Sequence, residues 1–134
     1  MKRTELREHI FKMVFSYEFN SDDEMPQQMQ LYFEQIEGGE LQEKDVSYIR
    51  TKALEVILKS EEIDSLLNSH TKGWKTSRMN KVDLSILRLA LYEMKWDPEI
   101  PESVAINEAV ELAKKYSGED GPSFVNGVLA KLAD

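Results

Sequence analysis

Histidine and serine are the first residue types to examine for catalysis, because they supply general bases and nucleophiles. The two histidines, His9 and His70, lie in different predicted helices and form no H-E-x-x-H pattern. No serine stands in a G-x-S-x-G elbow, and Gly38-Gly39 has neither the spacing nor the lysine of a phosphate-binding loop. We interpret both histidines as surface or boundary residues, and the sequence predicts a protein that is not an enzyme.

Carboxylates could instead bind a cation or act in pairs as acid and base. Asp22-Asp23-Glu24 lacks the alternating oxygen ligands and central glycine of a calcium loop, and we interpret it as a solvated loop between helices. Glu108 and Glu111 lie one helical turn apart, a spacing that is common on solvated helices. The chain has no cysteine, which excludes disulfides and cysteine-ligated metals. We therefore expect neither a metal site nor a cofactor.

Charge is distributed unevenly along the chain. The formal net charge is −8, which taken alone argues against nucleic-acid binding, because phosphate contacts require lysine and arginine. Residues 18–45 hold nine acids and one lysine, a net of −8 that equals the whole-chain value. Residues 1–17 hold four basic and two acidic residues, a net of +2, and residues 72–82 hold four basic residues and no acid, a net of +4. This asymmetry permits an RNA-binding face on an acidic protein, and the alternative is an ordinary solvated surface.

Helices must position these residues, because apolar side chains recur at helical spacing through nearly the whole chain. The sequence predicts an all-α fold, a single-domain bundle of about seven helices over residues 1–134. Capping and breaking residues mark the predicted helix ends. Thr4 precedes the first helix, the second is bounded by Ser21 to Pro26 and by Gly38-Gly39, and the third runs from Glu43 to Lys59. The fourth begins at Ser60 and ends near His70 to Gly73, and Asn80 with Asp83 marks the start of the fifth. Asp97 to Pro101 separates the fifth from the sixth, and Gly118 and Gly121-Pro122 separate the sixth from the seventh.

Two of the predicted helices have unusual features. The fifth carries a broad apolar face over residues 82–94, which predicts a central, largely buried helix. Gly127 lies inside the seventh, where glycine costs about 1 kcal/mol relative to alanine. We expect either close helix packing or the approach of RNA to require it.

Nothing in the sequence indicates a membrane protein. No apolar run is long enough to cross a bilayer, and the charged N-terminus lacks the apolar stretch of a signal peptide. The hydrophobic fraction of 41% over 134 residues is enough for a core. We expect a cytoplasmic protein.

The C-terminal third holds two long motifs in order. They are V-A-I-N-E-A-V-E-L-A-K at residues 104–114 and F-V-N-G-V-L at residues 124–129, separated by a glycine-containing loop with Glu119-Asp120. Upstream stand I-L-R-L-A-L-Y-E at residues 86–93 and Arg7-Glu8 before an apolar helical run. In these motifs the sequence resembles the NusB family over almost its full length, least in residues 20–75.

The resemblance implies an all-helical transcription antitermination factor. NusB proteins pair with NusE, a small-subunit ribosomal protein, and the heterodimer binds the boxA element of nascent RNA. In an antitermination complex with RNA polymerase, it promotes read-through of terminators, notably in ribosomal RNA operons. The resemblance also allows a homodimer of the free protein.

The same resemblance places RNA-binding residues in two regions. The first, at the basic start of helix one, holds Lys2, Arg3 and Arg7, which could neutralise phosphates. The second surrounds the loop before the last helix and consists of Asp120, Phe124 and Asn126. We expect the two regions to form one surface that faces RNA, and we expect Arg7→Glu and Asn126→Ala to weaken RNA binding without lowering thermal stability.

Residue chemistry suggests a role for each member of the second region. Phe124 could stack on an unpaired base, a contact worth about 1–3 kcal/mol, or it could be a core residue of the apolar stripe. Asn126 offers a donor and an acceptor to a base edge, or it could cap or bridge helices. Asp120 could accept from a base amino group, hold the loop, or act only as a helix N-terminal charge. In the first region, Lys2 and Arg3 could be a frayed terminus that orders on RNA.

Two further positions bear on partners. Asp83 corresponds to an acidic position on the partner-binding side of the family, and it could instead cap the fifth helix. Ribosomal proteins are typically basic, so an acidic surface would complement one. The basic stretch Lys72–Lys81, which includes Trp74, is a secondary candidate for RNA contact.

Two rival hypotheses remain. Glu5 and Glu8 dilute the basic start of the chain, where many family members have a denser run of arginines. This favours a NusB-fold protein–protein interaction module with lost or weak RNA binding as the alternative. NusB-like domains also precede RNA cytosine methyltransferase domains, but this chain has no cysteine nucleophile, so we rank an enzyme fragment last.

Overall fold

The computed structural model describes residues 1–36, 41–70 and 75–134, and these residues contain helices and no strand. The helices are α1 (Arg3–Ser16), α2 (Met25–Gln35), α3 (Glu43–Leu58), α4 (Ser60–His70), α5 (Lys81–Trp96), α6 (Glu102–Tyr116) and α7 (Gly121–Leu132). Short 3-10 turns follow α1 at Tyr17–Phe19 and precede α5 at Thr76–Arg78. The prediction of an all-α fold with about seven helices is confirmed.

The helices group into two compact units, residues 1–57 and residues 58–134. The single-domain interpretation stays a prediction.

Gly38-Gly39 and Gly73, which were expected to end α2 and α4, lie outside the described residues. Within the part of the chain that the structure describes, no helix is both long and apolar enough to span a membrane.

In residues 1–57, the buried apolar side chains recur at helical spacing on three helices. They are Ile10, Phe11, Met13 and Val14 of α1, Met25 and Met29 of α2, and Ile49, Ala53 and Val56 of α3. Aromatic and polar contacts join the same helices. His9 Nδ1 lies 2.6 Å from Tyr32 Oη, and the Arg50 guanidinium lies 5.2 Å from the centre of the Phe33 ring.

One helix end of this unit differs from expectation, and the predicted loop before α2 contains a defined turn. Thr4 was predicted as the N-cap of α1, but the helix begins at Arg3 and the extended N-cap residue is Lys2. The predicted loop Ser21 to Glu24 contains a turn, in which the Ser21 amide donates to Glu24 Oε1 at 2.8 Å and the Glu24 amide donates to Ser21 O at 3.0 Å. Hydrogen bonding with Ser21 lowers the pKa of Glu24. The S-x-x-E spacing is that of a capping box, and it leads directly into α2.

In residues 58–134, α5 is the central helix and packs against α4, α6 and α7. Every residue of α5 from Asp83 to Glu93 is buried, which confirms the prediction from its broad apolar face. The buried Arg88 of α5 donates to both carboxylate oxygens of Asp64 in α4, at 2.9 Å from Nε and 2.7 Å from Nη2. A bidentate pair of this kind fixes the orientation of α4 on α5 as well as stabilising the contact.

Candidate functional site

Three of the predicted site residues, Asp83, Asp120 and Phe124, line one cleft of about 460 Å³ in the second unit. The cleft lies where α5 begins, α6 ends and α7 begins. Its other lining residues are Arg78, Met79, Asn80, Ser117, Gly118, Glu119 and Gly121. The structure thus places the expected partner-binding carboxylate and two expected RNA-binding residues at the same surface depression.

The floor of the cleft is the capped start of α5. Asn80 Oδ1 accepts from the Asp83 amide at 2.8 Å, which confirms Asn80 as the N-cap. Asn80 Nδ2 donates to Asp83 Oδ2 at 2.9 Å, and the Ser117 hydroxyl donates to Asp83 Oδ1 at 2.5 Å. The carboxylate of Asp83 is buried and bonded through both oxygens. Asp83 therefore pairs with the N-cap residue through its side chain and its amide, and its role toward a partner stays a prediction.

Gly121 brings the start of α7 against the end of α6. A Cβ atom at this position would overlap Oγ and Cβ of Ser117, so only glycine fits without movement of Ser117. Because Ser117 also bonds Asp83, the close approach at Gly121 connects α7 to the capped start of α5. The cleft is built by this three-helix junction.

Asp120 and Phe124 are one helical turn apart at the start of α7. Asp120 is exposed at the N-cap, its side chain makes no capping hydrogen bond, and its carbonyl oxygen accepts from the Phe124 amide at 3.0 Å. A carboxylate at this position also interacts favourably with the positive end of the helix dipole, in agreement with the alternative that Asp120 acts as a helix N-terminal charge. Phe124 is partly buried, so it is neither a fully enclosed core residue nor a free surface ring.

Asn126 is exposed on α7, and among the described residues nothing hydrogen-bonds to its side chain. The alternative role of capping or bridging helices has no contact to support it. Gly127 is exposed too, and a Cβ there would meet nothing within 4 Å. Close helix packing therefore does not require this glycine.

The basic residues at the start of the chain are not equivalent. Lys2 and Arg3 are exposed, and Lys2 O accepts from the Leu6 amide at 3.0 Å, so the backbone here belongs to the first turn of α1. Arg7 is 7% exposed. A polynucleotide could reach little of its surface in this conformation, and the RNA-binding role of Arg7 stays a prediction.

The basic stretch before α5 is described only in part. Lys72 and Trp74 lie outside the described residues, whereas Arg78 is exposed and lines the cleft. Arg78 belongs to the stretch Lys72–Lys81, the secondary candidate for RNA contact, but the sequence did not distinguish it from the other basic residues there. Its position two residues before the N-cap Asn80 is the signal that could have placed it at the start of α5.

The cleft offers charged and hydrogen-bonding groups suited to binding. Over residues 1–36, 41–70 and 75–134, no group of three or more histidine and carboxylate side chains could hold a metal ion. The arrangement combines a guanidinium, carboxylates, an amide and a partly buried aromatic ring, and these groups can recognise a planar polar ligand.

Comparison with known proteins identifies the family. A model of the NusB family matches residues 4–134. The chain is 46% identical over 134 residues to transcription antitermination protein NusB of Lachnoclostridium phytofermentans, with 100% of each chain covered. It is 47% identical over 133 residues to the protein of the same name from Agathobacter rectalis, covering 99% of this chain and 100% of that one.

Solved structures agree with the sequence comparison. T. maritima NusB superimposes with a TM-score of 0.86 at 32% identity, covering 99% of this chain and 91% of that one. A chain in the crystal structure of a plectonemic RNA supercoil superimposes with a TM-score of 0.79 at 25% identity, covering 96% and 91%. The family match spans nearly the whole sequence, and the fold and the motifs at residues 104–129 accord with it: this chain belongs to the NusB family.

Proposed function

We propose that this chain is a transcription antitermination factor that binds boxA RNA as a heterodimer with a NusE-type ribosomal protein, within the antitermination complex of RNA polymerase in the cytoplasm. The observation that carries the proposal is full-length similarity to relatives named transcription antitermination protein NusB. Read-through of terminators, notably in ribosomal RNA operons, is the outcome of this binding.

The exposed polar residues support an RNA contact. Among the described residues, no side chain pairs with Lys2, Arg3 or Asn126, so all three are available to a ligand. Lysine and arginine supply the phosphate contacts on which polynucleotide affinity depends. Asn126 and the cleft at Asp120 and Phe124 supply groups that could contact bases.

The acidic part of the chain supports a basic protein partner. Residues 18–45 carry a net charge of −8, and most of the acids that the structure describes there are exposed. A basic ribosomal protein complements such a surface and is steered toward it. In the heterodimer, the basic partner contributes positive charge for binding phosphates, whereas this chain has a net charge of −8.

The experiment is fluorescence anisotropy of labelled boxA RNA with the protein alone, with NusE alone, and with both. We expect tight, salt-dependent binding when both proteins are present and weaker binding by either alone. An RNA of the same composition in scrambled order is the control. Absence of binding in all three conditions would exclude the RNA role.

The burial of Arg7 favours one second candidate, a protein–protein interaction module with lost or weak RNA binding. Of the three basic residues predicted to contact RNA at the start of the chain, Arg7 is buried, and Glu5 on the same helix is exposed. Under this hypothesis NusE binds the chain normally, whereas boxA RNA adds no affinity and shows no salt dependence. The anisotropy experiment separates the two candidates.

A further inference from the structure

We propose that the cleft between the starts of α5 and α7 is a guanine-binding pocket, in which Arg78 and Asp120 contact two edges of one base. The inference rests on the proposed function, because it specifies which nucleotide of a bound RNA the chain recognises. It selects Arg78 from the basic stretch Lys72–Lys81, the secondary candidate for RNA contact, and assigns it a specific role.

The cleft has the size and walls of a small-molecule site. Its volume of about 460 Å³ falls in the range of pockets that enclose small ligands. Met79 is buried and Phe124 is partly buried at its walls, so an inserted base would meet apolar surface. An aromatic side chain beside an unpaired base is a common element of single-stranded RNA recognition.

The charged groups of the cleft fall into two sets. Asp83 is already bonded through both carboxylate oxygens, to Asn80 and Ser117. In contrast, the side chains of Arg78, Glu119 and Asp120 are exposed, and no described residue pairs with them. The cleft therefore presents an unused donor set and unused acceptors to a ligand.

The backbone under these side chains is held in place on both sides. The Arg78 amide donates to Lys75 O at 2.9 Å, and the Thr76 amide donates to Asn68 Oδ1 in α4, also at 2.9 Å. On the other side, Asp120 lies one helical turn before Phe124, so both side chains project from the same face of α7. We therefore assign the base contact to Asp120 rather than to Glu119.

Guanine is the base whose edges match this pair. Its O6 and N7 atoms accept the two-point hydrogen bond that arginine donates, the commonest specific contact to this base. Its N1–H and N2–H groups donate side by side to a carboxylate, which only accepts. Adenine has no adjacent pair of acceptors for arginine, and uracil has a single N–H donor. Cytosine accepts from arginine at O2 and N3 but offers a carboxylate only its N4 amino group, so guanine alone makes a two-point contact with both Arg78 and Asp120.

The charge balance also indicates that a base, rather than a phosphate, enters the cleft. One basic residue, Arg78, and three acidic residues, Asp83, Glu119 and Asp120, line the cleft. A phosphate would be repelled by this excess of negative charge, whereas a neutral base with several donors would not. The phosphates of the same RNA remain with basic residues outside the cleft.

The test uses the full chain and fluorescein-labelled decauridine, unmodified or with one central guanosine, adenosine or cytidine. Because a well-formed two-point contact discriminates bases by about 5- to 150-fold, we expect guanosine to improve affinity over decauridine by a factor in that range. Inosine, which lacks the N2 amino group, and 7-deazaguanosine, which lacks N7, should each lose most of this gain.

Variants identify the residues responsible for the higher affinity of RNA that contains guanosine. With Arg78→Gln, RNA containing 7-deazaguanosine should bind as tightly as RNA containing guanosine. With Asp120→Asn, RNA containing inosine should bind as tightly as RNA containing guanosine. Neutralising Asp120 also lessens repulsion of phosphates, so the guanosine-to-uridine ratio is compared rather than affinity alone. Glu119→Gln tests the neighbouring carboxylate of the cleft, and Lys131→Gln, at an exposed position of α7 outside the cleft, is the control and should keep the ratio of the unmodified protein.

The outcomes separate this proposal from the proposed function. If boxA RNA binds with NusE but guanosine gives no gain, or adenosine or cytidine gives an equal one, the guanine pocket is wrong and the proposed function stands. If guanosine is preferred but boxA RNA fails to bind, the pocket stands and the proposed function is wrong. Loss of the preference in Glu119→Gln but not in Asp120→Asn overturns the assignment of Asp120.

Discussion

Ser117 at the end of α6 donates a hydrogen bond of 2.5 Å to Asp83 in the first turn of α5, across 34 residues of sequence. The acceptor is buried and its second oxygen accepts from Asn80. This bond joins two helix ends at the floor of the cleft, so the shape of the candidate site depends on a carboxylate that has little exposed surface of its own.

Replacement of Asp83 by alanine should lower the free energy of unfolding by about 1–3 kcal/mol, because it leaves the Ser117 hydroxyl and the Asn80 amide group without their acceptor. Urea denaturation followed by circular dichroism measures the change. Glu119→Ala, at an exposed carboxylate in the same cleft, is the control and should stay within about 0.5 kcal/mol of the unmodified protein. Equal effects of the two substitutions would contradict the structural role of Asp83.

Two glycines of α7 should respond to alanine in opposite directions. Gly121→Ala should destabilise the protein by about 1–3 kcal/mol, because the new methyl group overlaps Ser117. Gly127→Ala should stabilise it by about 0.5–1 kcal/mol, because the position is helical, exposed and open. Thermal unfolding of both variants gives the sign of each change, and a stable Gly121→Ala protein would show that the α6–α7 contact adjusts easily.

Simultaneous replacement of Lys2 and Arg3 by alanine should weaken binding of boxA RNA and reduce its dependence on salt. Each phosphate contact contributes about −0.7 to the slope of log K against log salt for single strands, so the slope should become shallower by about 1.4. Anisotropy titrations at several salt concentrations provide the slope. Lys44→Ala, at an exposed lysine of α3, should leave it unchanged, and an unaltered slope in the double variant would remove these residues from the interface.

Arg7→Glu and Asn126→Ala should differ in their effects on stability, whereas from the sequence we expected neither to lower thermal stability. Arg7 is 7% exposed, so a carboxylate in its place would be buried without a matched environment and should cost about 1–3 kcal/mol. Asn126 is exposed, and its truncation should weaken RNA binding with the melting temperature near that of the unmodified protein. Melting curves and anisotropy on the same samples distinguish loss of folding from loss of contact.

The helices could be predicted because their information is local. The apolar spacing of α5 predicted a buried helix, and Asn80 three residues before Asp83 predicted its cap; both are confirmed. The Thr4 cap was wrong because capping depends on backbone geometry that a single polar residue does not specify. The Ser21–Glu24 turn was missed although its S-x-x-E spacing is visible, because the intervening acids suggested a solvated loop.

The candidate site was only partly predictable, since it depends on contacts between distant residues. The motif around residues 119–127 identified Asp120 and Phe124, which line the cleft. Nothing in the sequence reveals that Arg7 is buried, because charged residues are usually exposed. Nor does it reveal that Arg78 and Phe124, 46 positions apart, line the same cleft, because residues that are neighbours in the fold have no fixed spacing in the sequence.

The hydrogen bonds that start α5 also form the base of the cleft, so occupancy and local folding are thermodynamically linked there. A ligand that binds only when the hydrogen bonds among Asn80, Asp83 and Ser117 are formed raises the free energy of breaking them. Above its dissociation constant, this increase grows with the logarithm of the ligand concentration. Amide protons at the beginning of α5 would then exchange with deuterium more slowly when the cleft is filled. Exchange rates in this single turn thus report on a ligand before its identity is known.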